Sequence, residues 1–308
     1  MIYTLTLNPA LDRAIVVERM LEDDTTRILA EAHYAAGKGI DVSRVIRELG
    51  GQSVALGLVG GYDGMELEGL LINAGVMTSF TRISGETRTN IILKEKETAR
   101  QFLLSAPGPE IRAAEIGRLY DRVREIQDMS YLVMSGSLPA GVSPNLYGQL
   151  ILAGRNKGAF TFLDTDGNAL KESLDYQPAA IKPNIFELCR LIGRPVRHDA
   201  EILEACEEIH QRGISYVLVS MGKKGMILST NEDKIKAVAP PVAVESVVGA
   251  GDSAVAGFVL AHSRGKEFVE CVRFACAAGA ATAKTPGTEL CHKEEVESML
   301  NHVKVSFI

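Results

Sequence analysis

The segment Val247-Val248-Gly249-Ala250-Gly251-Asp252-Ser253-Ala254-Val255-Ala256-Gly257 is a glycine turn running into a helix of small residues. Small residues let a backbone approach a ligand closely. The first amides of a helix lack intrahelical acceptors and sit at its positive dipole end, so Gly249, Ala250 and Gly251 can offer N–H donors to a phosphoryl group. Asp252, beside them, can accept a hydroxyl proton. A proton acceptor for an attacking alcohol next to an anion hole is what phosphoryl transfer requires. The same residues also read as an aspartate capping a helix after a glycine turn, and their spacing is not that of a P-loop.

Four further groups carry polar side chains at places where a ligand could sit. Gly37-Lys38-Gly39-Ile40-Asp41 opens a helix with Lys38 and Asp41 in its first turn, fit for sugar-hydroxyl and phosphate contacts or simply a helix start. It is a poor dinucleotide fingerprint, because Val42 stands where the third glycine belongs. In Lys182-Pro183-Asn184-Ile185-Phe186-Glu187, Asn184 and Glu187 share a helical face; they suit a hydrated Mg²⁺ or form a capping box. Val219-Ser220-Met221-Gly222-Lys223-Lys224-Gly225 is a basic glycine loop that could lie along ATP phosphates or make a plain hairpin turn. Asp12 falls just past the first strand, where it could bind sugar hydroxyls or cap a turn, and Arg27 and Arg88 are cations for a substrate phosphate or plain solvated arginines.

These groups need a frame, and the frame is legible in the hydrophobic pattern. Strand-like runs at Ile2 to Leu7, Val54 to Val59, Tyr131 to Met134, Phe160 to Leu163 and Tyr216 to Ser220 alternate with helical stretches. The helices are expected at Ile40 to Leu49, Met65 to Ala74, Ala113 to Gln127, Asn145 to Asn156, Ala200 to Arg212, Ser253 to His262 and Phe268 to Lys284. This is the signature of a doubly wound α/β body with a mostly parallel sheet and helices on both faces. Two stretches break the rhythm with short alternating runs, so residues 12–33 and 86–102 are expected to form a small β-sheet lid over a body made of 1–11, 34–85 and 103–308.

Composition narrows the partners. The 308 residues carry 33 Lys and Arg against 39 Asp and Glu, a net charge of −6 that offers no broad positive field for nucleic acid. No segment reaches the roughly 18 uninterrupted apolar residues of a membrane span. Cys189, Cys206, Cys271, Cys276 and Cys291 are odd in number and irregularly spaced, which points to a reducing, cytoplasmic setting and no zinc or iron site.

In order along the chain, Thr6-Leu7-Asn8-Pro9-Ala10-Leu11-Asp12, Gly37-Lys38-Gly39, Thr87-Arg88, Ser135-Gly136-Ser137-Leu138-Pro139, Lys182-Pro183-Asn184, Gly249-Ala250-Gly251-Asp252 and Gly287-Thr288 resemble the ribokinase-like sugar kinases, in their phosphofructokinase B branch. The resemblance implies a ribokinase-like fold and an ATP-dependent kinase acting on a phosphorylated ketohexose. Within it, Asp252 is the base and the amides at Gly249, Ala250 and Gly251 hold the phosphoryl group. It further implies that Asp12, Gly37, Lys38, Asp41, Arg88 and Ser137 contact the phosphosugar, that Lys182, Asn184, Ser220, Gly222 and Gly225 line the ATP site, and that Asn184 and Glu187 organise Mg²⁺. It implies a homodimer paired through the lids, with Arg27 reaching the neighbour's substrate, and a monovalent cation such as K⁺ on carbonyls of 246–248 and 283–287. The ending Gly287-Thr288-Glu289-Leu290-Cys291 resembles the 6-phosphofructokinases, which makes fructose 6-phosphate the expected acceptor, ahead of the 1-phosphofructokinase and tagatose-6-phosphate kinase activities of the branch. Ala36 and Asp41 depart from the family's usual glycine and asparagine, and an anion at Asp41 accepts from hydroxyls but cannot donate. A non-catalytic sugar-phosphate sensor and a nicotinamide dehydrogenase are the readings from other classes; the intact Gly249 to Asp252 series opposes the first, and the missing dinucleotide fingerprint opposes the second.

Overall fold

The computed structural model covers all 308 residues. In chain order its strands are β1 (Ile2–Thr6), β2 (Ala10–Val17), β3 (Ile28–Ala36), β4 (Ser53–Val59), β5 (Met77–Thr78), β6 (Thr81–Arg82), β7 (Arg88–Glu95) and β8 (Gln101–Leu104). They continue as β9 (Tyr131–Ser135), β10 (Phe160–Asp164), β11 (Ala180–Ile181), β12 (Tyr216–Ser220), β13 (Met226–Ser229), β14 (Lys234–Val238) and β15 (Lys304–Phe307). The α-helices are α1 (Lys38–Glu48), α2 (Gly61–Asn73), α3 (Ala113–Glu125), α4 (Leu146–Arg155), α5 (Gly167–Ser173), α6 (Ile185–Ile192), α7 (Asp199–His210), α8 (Ala250–Ser263), α9 (Phe268–Thr282) and α10 (Lys293–Leu300).

The main sheet runs β15-β14-β13-β12-β11-β10-β9-β1-β4-β5, with β6 also on β4. From β5 to β12 every pairing is parallel, and β13 to β15 are added antiparallel at one edge. One face packs Val42, Val45 and Ile46 of α1 with the inner residues of α8 and α9, and the other packs Leu119, Leu150 and Ile202 of α3, α4 and α7. The body is therefore the doubly wound, mostly parallel α/β fold that the alternation predicts. A separate four-stranded sheet, β3-β2-β7-β8, is the small second sheet expected, its strands running from Ala10 to Ala36 and from Arg88 to Leu104, close to the bounds 12–33 and 86–102. No helix is long and apolar enough to cross a membrane.

Several bounds differ from the sequence expectation for local reasons. Helix α2 begins at Gly61, ahead of the expected Met65, because the Glu86 carboxylate accepts from the Asp63 amide at 2.9 Å and serves as a cap from a distant segment. Helix α9 stops at Thr282, where the amides of Ala283, Lys284 and Thr285 turn back onto the carbonyls of Gly279, Ala281 and Thr282. Helices α5 and α10 are short, and their hydrophobic pattern is too brief to declare itself.

Helix α8 packs against both α1 and α9, and its approach depends on glycine. A Cβ on Gly257 would stand 2.8 Å from the Phe274 carbonyl oxygen of α9, and one on Gly279 of α9 would stand 3.0 Å from the Ala250 carbonyl oxygen. Gly69 of α2, by contrast, faces open space. Gly257→Ala should therefore destabilise the protein by about 1–3 kcal/mol, because overpacking outweighs the helix propensity gained, whereas Gly69→Ala should stabilise it by up to about 1 kcal/mol. Urea unfolding of the two variants measures both signs.

Candidate active site

The last positions of four adjacent strands are polar. Register pairs Leu5 with Met134, Ser135 with Asp164, and Leu163 with Ile181, so Thr6, Ser135, Asp164 and Lys182 follow one another across β1, β9, β10 and the end of β11. Neighbours at one register point to one face. Val133, Phe162 and Ala180, two positions earlier, pack against α8 and α9, so the polar row lies on the face that α1 and α8 cover. All four side chains are buried. Parallel α/β sheets bind ligands outside the carboxyl ends of their strands, which is where this row stands.

Two helices begin over the row. A Cβ on Gly39 would stand 2.7 Å from Thr6 Oγ1 and 2.8 Å from the Leu5 carbonyl oxygen, so only glycine lets the first turn of α1 rest directly on β1. That turn carries Lys38 and Asp41, and Lys38 Nζ donates to Asp164 Oδ1 at 3.5 Å. Gly249, left-handed at φ 76°, is the residue before α8, and the first bond of that helix runs from Ser253 N to Gly249 O at 2.8 Å. The amides of Ala250, Gly251 and Asp252 thus have no acceptor within the helix, which shifts the expected donor set one residue onward. Lys182 reaches under them: its Nζ lies 3.3 Å from where a Gly251 Cβ would be, and 3.4 Å from Asp164 Oδ1.

Asp252, in the first turn of α8, is 7% exposed. Burial holds its carboxyl well above the ordinary 3.8, the charges of Asp41 and Asp164 push the same way, and Lys38 and Lys182 oppose them. Asp41 is raised to about 7, chiefly by burial, against the pull of Arg44, whose guanidinium donates to Asp41 Oδ1 at 3.1 Å. Asp12 is raised by burial and held back by a 2.8 Å hydrogen bond from Asn90 Nδ2 and by Arg88 and Arg44. Lys38 is held above its ordinary value mainly by Asp164. A base with a raised pKa, beside free helix amides and two lysines, can take a proton from an alcohol as that alcohol attacks a phosphoryl group.

The small sheet supplies the opposite wall. Asp12 is not on a turn after the first strand but inside β2, where parallel register sets it beside Asn90 of β7. Arg88 spans the junction, donating to the carbonyls of Ala106 at 2.8 Å and Asn8 at 3.0 Å. Asn8 Nδ2 reaches Ser137 Oγ at 3.4 Å, which ties Ser137 to the same end of the sheet. Gly37, extended toward positive φ at 132°, stands where a Cβ would meet Thr6 Cγ2 at 2.8 Å, so the lid strand β3 enters α1 against β1.

On the β12 side, Asn184 pairs with Ser220 in an isolated bridge, and the Ser220 amide donates to the Pro183 carbonyl at 3.1 Å. Gly222 to Lys224 form a single tight turn, and Gly225, just before β13, has no room for a side chain, a Cβ there lying 2.0 Å from the Ala237 carbonyl oxygen. The loop is a hairpin connection that lies at the carboxyl end of β12. Asn184 and Glu187 do make the capping box: Asn184 Oδ1 accepts from the amides of Phe186 and Glu187 at 2.9 Å each, and Glu187 Oε2 accepts from the Asn184 amide at 2.7 Å. Those two oxygens are committed to the helix, which leaves Glu187 Oε1 as the carboxylate oxygen open to a cation.

Arg27 is not brought to this site by its own chain. It is exposed and precedes Ile28, the first residue of β3, whose nine residues span about 27 Å before Ala36 and Gly37. Sequence reasoning also missed Asp164, Asn90 and Arg44. The signal for Asp164 was available, since it ends a strand whose carboxyl end faces the ligand side; Asn90 and Arg44 gain meaning only from partners that folding brings to them.

Comparison with known proteins gives the family of the chain. Residues 6–295 match the family described as pfkB family carbohydrate kinase. The chain is 34% identical to the 1-phosphofructokinase of Borreliella burgdorferi over 309 residues, covering 100% of this chain and 99% of that one. It is equally 34% identical to the ATP-dependent 6-phosphofructokinase isozyme 2 of Escherichia coli, covering 97% of each. The crystal structure of phosphofructokinase-2 from Escherichia coli in complex with potassium superposes with a TM-score of 0.93 at 33% identity, covering 97% of this chain and 98% of that chain.

The raised carboxyl of Asp252 sets a pH dependence. Only the deprotonated form accepts a proton, so activity should be lost as pH falls through a pKa well above the ordinary 3.8. Asp41→Asn removes a like charge that raises that pKa, so the acid limb of kcat/KM should move to lower pH. A kcat/KM profile of wild type and Asp41→Asn measures the direction; an unmoved limb would separate Asp41 from the titration of Asp252.

Proposed function

The chain belongs to the pfkB family of carbohydrate kinases and is a sugar-phosphate kinase, and on that premise we propose that it moves the γ-phosphoryl group of ATP to a hydroxyl of fructose 6-phosphate, giving fructose 1,6-bisphosphate. The observation that carries the reading is the buried Asp252 one residue beyond the free amides of Ala250 and Gly251, with Lys182 beneath them.

The reaction follows from these residues. Asp252 takes the proton of the sugar hydroxyl as its oxygen bonds to the γ-phosphorus, the bond to the bridging oxygen of ADP breaks, and the amides at the start of α8 with Lys182 offset the charge on the moving group. Asp12, Asp41 and Asn90 accept from or donate to sugar hydroxyls, while Lys38 and Arg88 face the sugar's own phosphate. The nucleotide lies along Lys182, Asn184, Ser220, Gly222 and Gly225. A Mg²⁺ ion, which needs few protein oxygens when phosphates and water supply the rest, fits Glu187 Oε1 and supplies charge neutralisation when bound. Loops 246–248 and 283–287 lie together, the Ser246 hydroxyl donating to the Gly287 carbonyl at 2.7 Å and the Glu245 amide to that of Ala283 at 2.9 Å, and carbonyls there would suit the potassium seen in the Escherichia coli relative.

A second acceptor, fructose 1-phosphate, is favoured by the Borreliella relative, which matches this chain over its full length. Phosphorylation of either fructose monophosphate gives the same bisphosphate, so only the substrate distinguishes them. The Gly287 to Cys291 segment packs Leu290 behind Gly249, with Leu290 Cδ2 2.5 Å from where a Gly249 Cβ would be. It therefore packs behind the turn that opens α8, on the side of the proposed phosphoryl hole. ADP release with Mg-ATP against fructose 6-phosphate, fructose 1-phosphate, tagatose 6-phosphate, fructose and ribose tests the acceptor: fructose 6-phosphate should give the highest kcat/KM. Asp252→Asn should fold and lose roughly 10²–10⁴-fold in kcat; a near wild-type rate would remove Asp252 from the role of base.

The lid supports a homodimer. Ile28, Leu29, Phe102, Leu103 and Leu104 are all exposed on β3 and β8, the two edges of the small sheet. Pairing two lids would cover them and would carry Arg27, at the outer end of β3, toward the neighbour's substrate phosphate. Leu103→Asp with Leu29→Asp should yield a monomer by sedimentation velocity where wild type sediments as a dimer. Mixing Arg27→Ala with Asp252→Asn subunits should leave activity unrecovered in those sites whose base and Arg27 are both lost, and restore it in sites that receive one intact residue from each chain.

A further inference from the structure

Asp164 is the one carboxylate that touches both lysines of the site. A single oxygen, Oδ1, lies 3.5 Å from Lys38 Nζ and 3.4 Å from Lys182 Nζ, while Oδ2 is buried without a hydrogen-bond partner. The two lysines come from different parts of the chain. Lys38 stands in the first turn of α1 with the sugar-binding Asp41, and Lys182 lies beneath Gly251 at the start of α8. Asp164 is 1% exposed and sits in the polar row, next to Ser135, whose buried Oγ is also unpartnered.

A purely structural buried carboxylate ordinarily has its oxygens saturated, because an unmade bond costs about 1–3 kcal/mol. This one is saturated on one side only, by two cations that also belong to substrate anions. When an anionic substrate takes either lysine, Asp164 is left with the other alone, and that lysine is drawn more firmly to it or released with it. Occupancy of one half of the site is thus transmitted to the other through a shared counter-ion.

Building on the kinase reading, we infer that Asp164 is a positioning residue that holds Lys38 and Lys182 as a pair and couples binding of the phosphosugar to binding of the nucleotide. The groups facing Lys38 are Asp164, Asp252 and Glu187, and Asp164 is the strongest of them.

Asp164→Asn in the full chain tests this by the split between kcat and KM. Removing a negative charge leaves the site more cationic, so KM for both anionic substrates should stay level or fall, while kcat drops about 100-fold as the lysines lose their placement. Inorganic phosphate should also raise the melting temperature of the variant more than that of wild type, since it replaces the lost carboxylate between two lysines. A parallel rise in both KM values, or equal phosphate stabilisation in the two proteins, would overturn the inference. Should Asp164→Asn not fold, wild type decides the matter alone: with lysine side-chain nitrogens labelled and assigned through Lys38→Arg and Lys182→Arg, Mg-ATP without sugar should shift both ammonium signals. A shift confined to Lys182 would refute the coupling. If no phosphosugar in the panel is turned over, the acceptor assignment fails, but the Mg-ATP titration still reads the coupling.

Discussion

The site depends on how closely two helices can begin above one row of strand ends. Helix α1 rests on β1 because Gly39 has no side chain to meet Thr6 and Leu5, and α8 rests on α9 because Gly257 and Gly279 admit carbonyl oxygens at about van der Waals contact. A methyl group at any of these points would lift a helix by some tenths of an ångström or more. Free helix amides act on an anion only within hydrogen-bond distance, so that displacement would weaken the proposed phosphoryl hole. The small residues along α8 are therefore a packing requirement that ends in a chemical one.

Bringing the two helix starts together also concentrates charge. Asp12, Asp41, Asp164 and Asp252 are met by Lys38, Lys182, Arg44 and Arg88, so the cluster is balanced as a whole although the members differ in environment. The balance is uneven in detail. Asp164 touches two lysines, Asp41 has one arginine, and Asp252 has no direct hydrogen-bonding cation and is influenced by Lys38 and Lys182 from a distance. The carboxyl left without a direct partner is the one best suited to take up a proton, because desolvation favours its neutral form. Pairing the other carboxylates is what singles out Asp252 as the proposed base.

Much of this was legible in the sequence, for reasons that differ by element. The alternation of β-rich and helical runs announced the doubly wound body because burial on both sheet faces imposes that pattern on every core strand. Gly249 to Asp252 and Gly37 to Gly39 stood out because close backbone approach admits only glycine or alanine, which is a constraint on residue type. Asp164 was hidden because an aspartate at the end of a hydrophobic strand is also what a turn prefers, and its two lysines lie 126 residues before it and 18 after it in the chain. Asn184 and Glu187 were visible as a pair, but their spacing serves a capping box and a cation equally; the box is realised, and it occupies two of their oxygens. Arg27 falls in the connection just before β3, and only the length of β3 shows how far it stands from the pocket of its own chain.

The lid is joined to the body by buried apolar residues, Ala35 packing with Ile40, Val59 and Leu67 of the body, and by polar contacts, and it turns other apolar side chains outward. Arg13 meets Asp63 of α2 at 3.5 Å, Thr89 meets the same carboxylate, and His33 lies between Glu31 of its own strand and Glu66 of α2. Exposed pairs of this kind contribute about 0–1 kcal/mol each, so the buried apolar contacts of Ala35 hold the sheet to the body more firmly than these pairs do. The apolar side chains of β3 and β8 have far more to gain from being covered, at about 25 cal/mol per Å². Whatever covers them therefore adds to the contacts within this chain that set where Asp12, Asn90 and Arg88 stand over the strand ends. On the proposed function, covering the outer face of the lid then bears on the sugar pocket together with the residues that line the inner one.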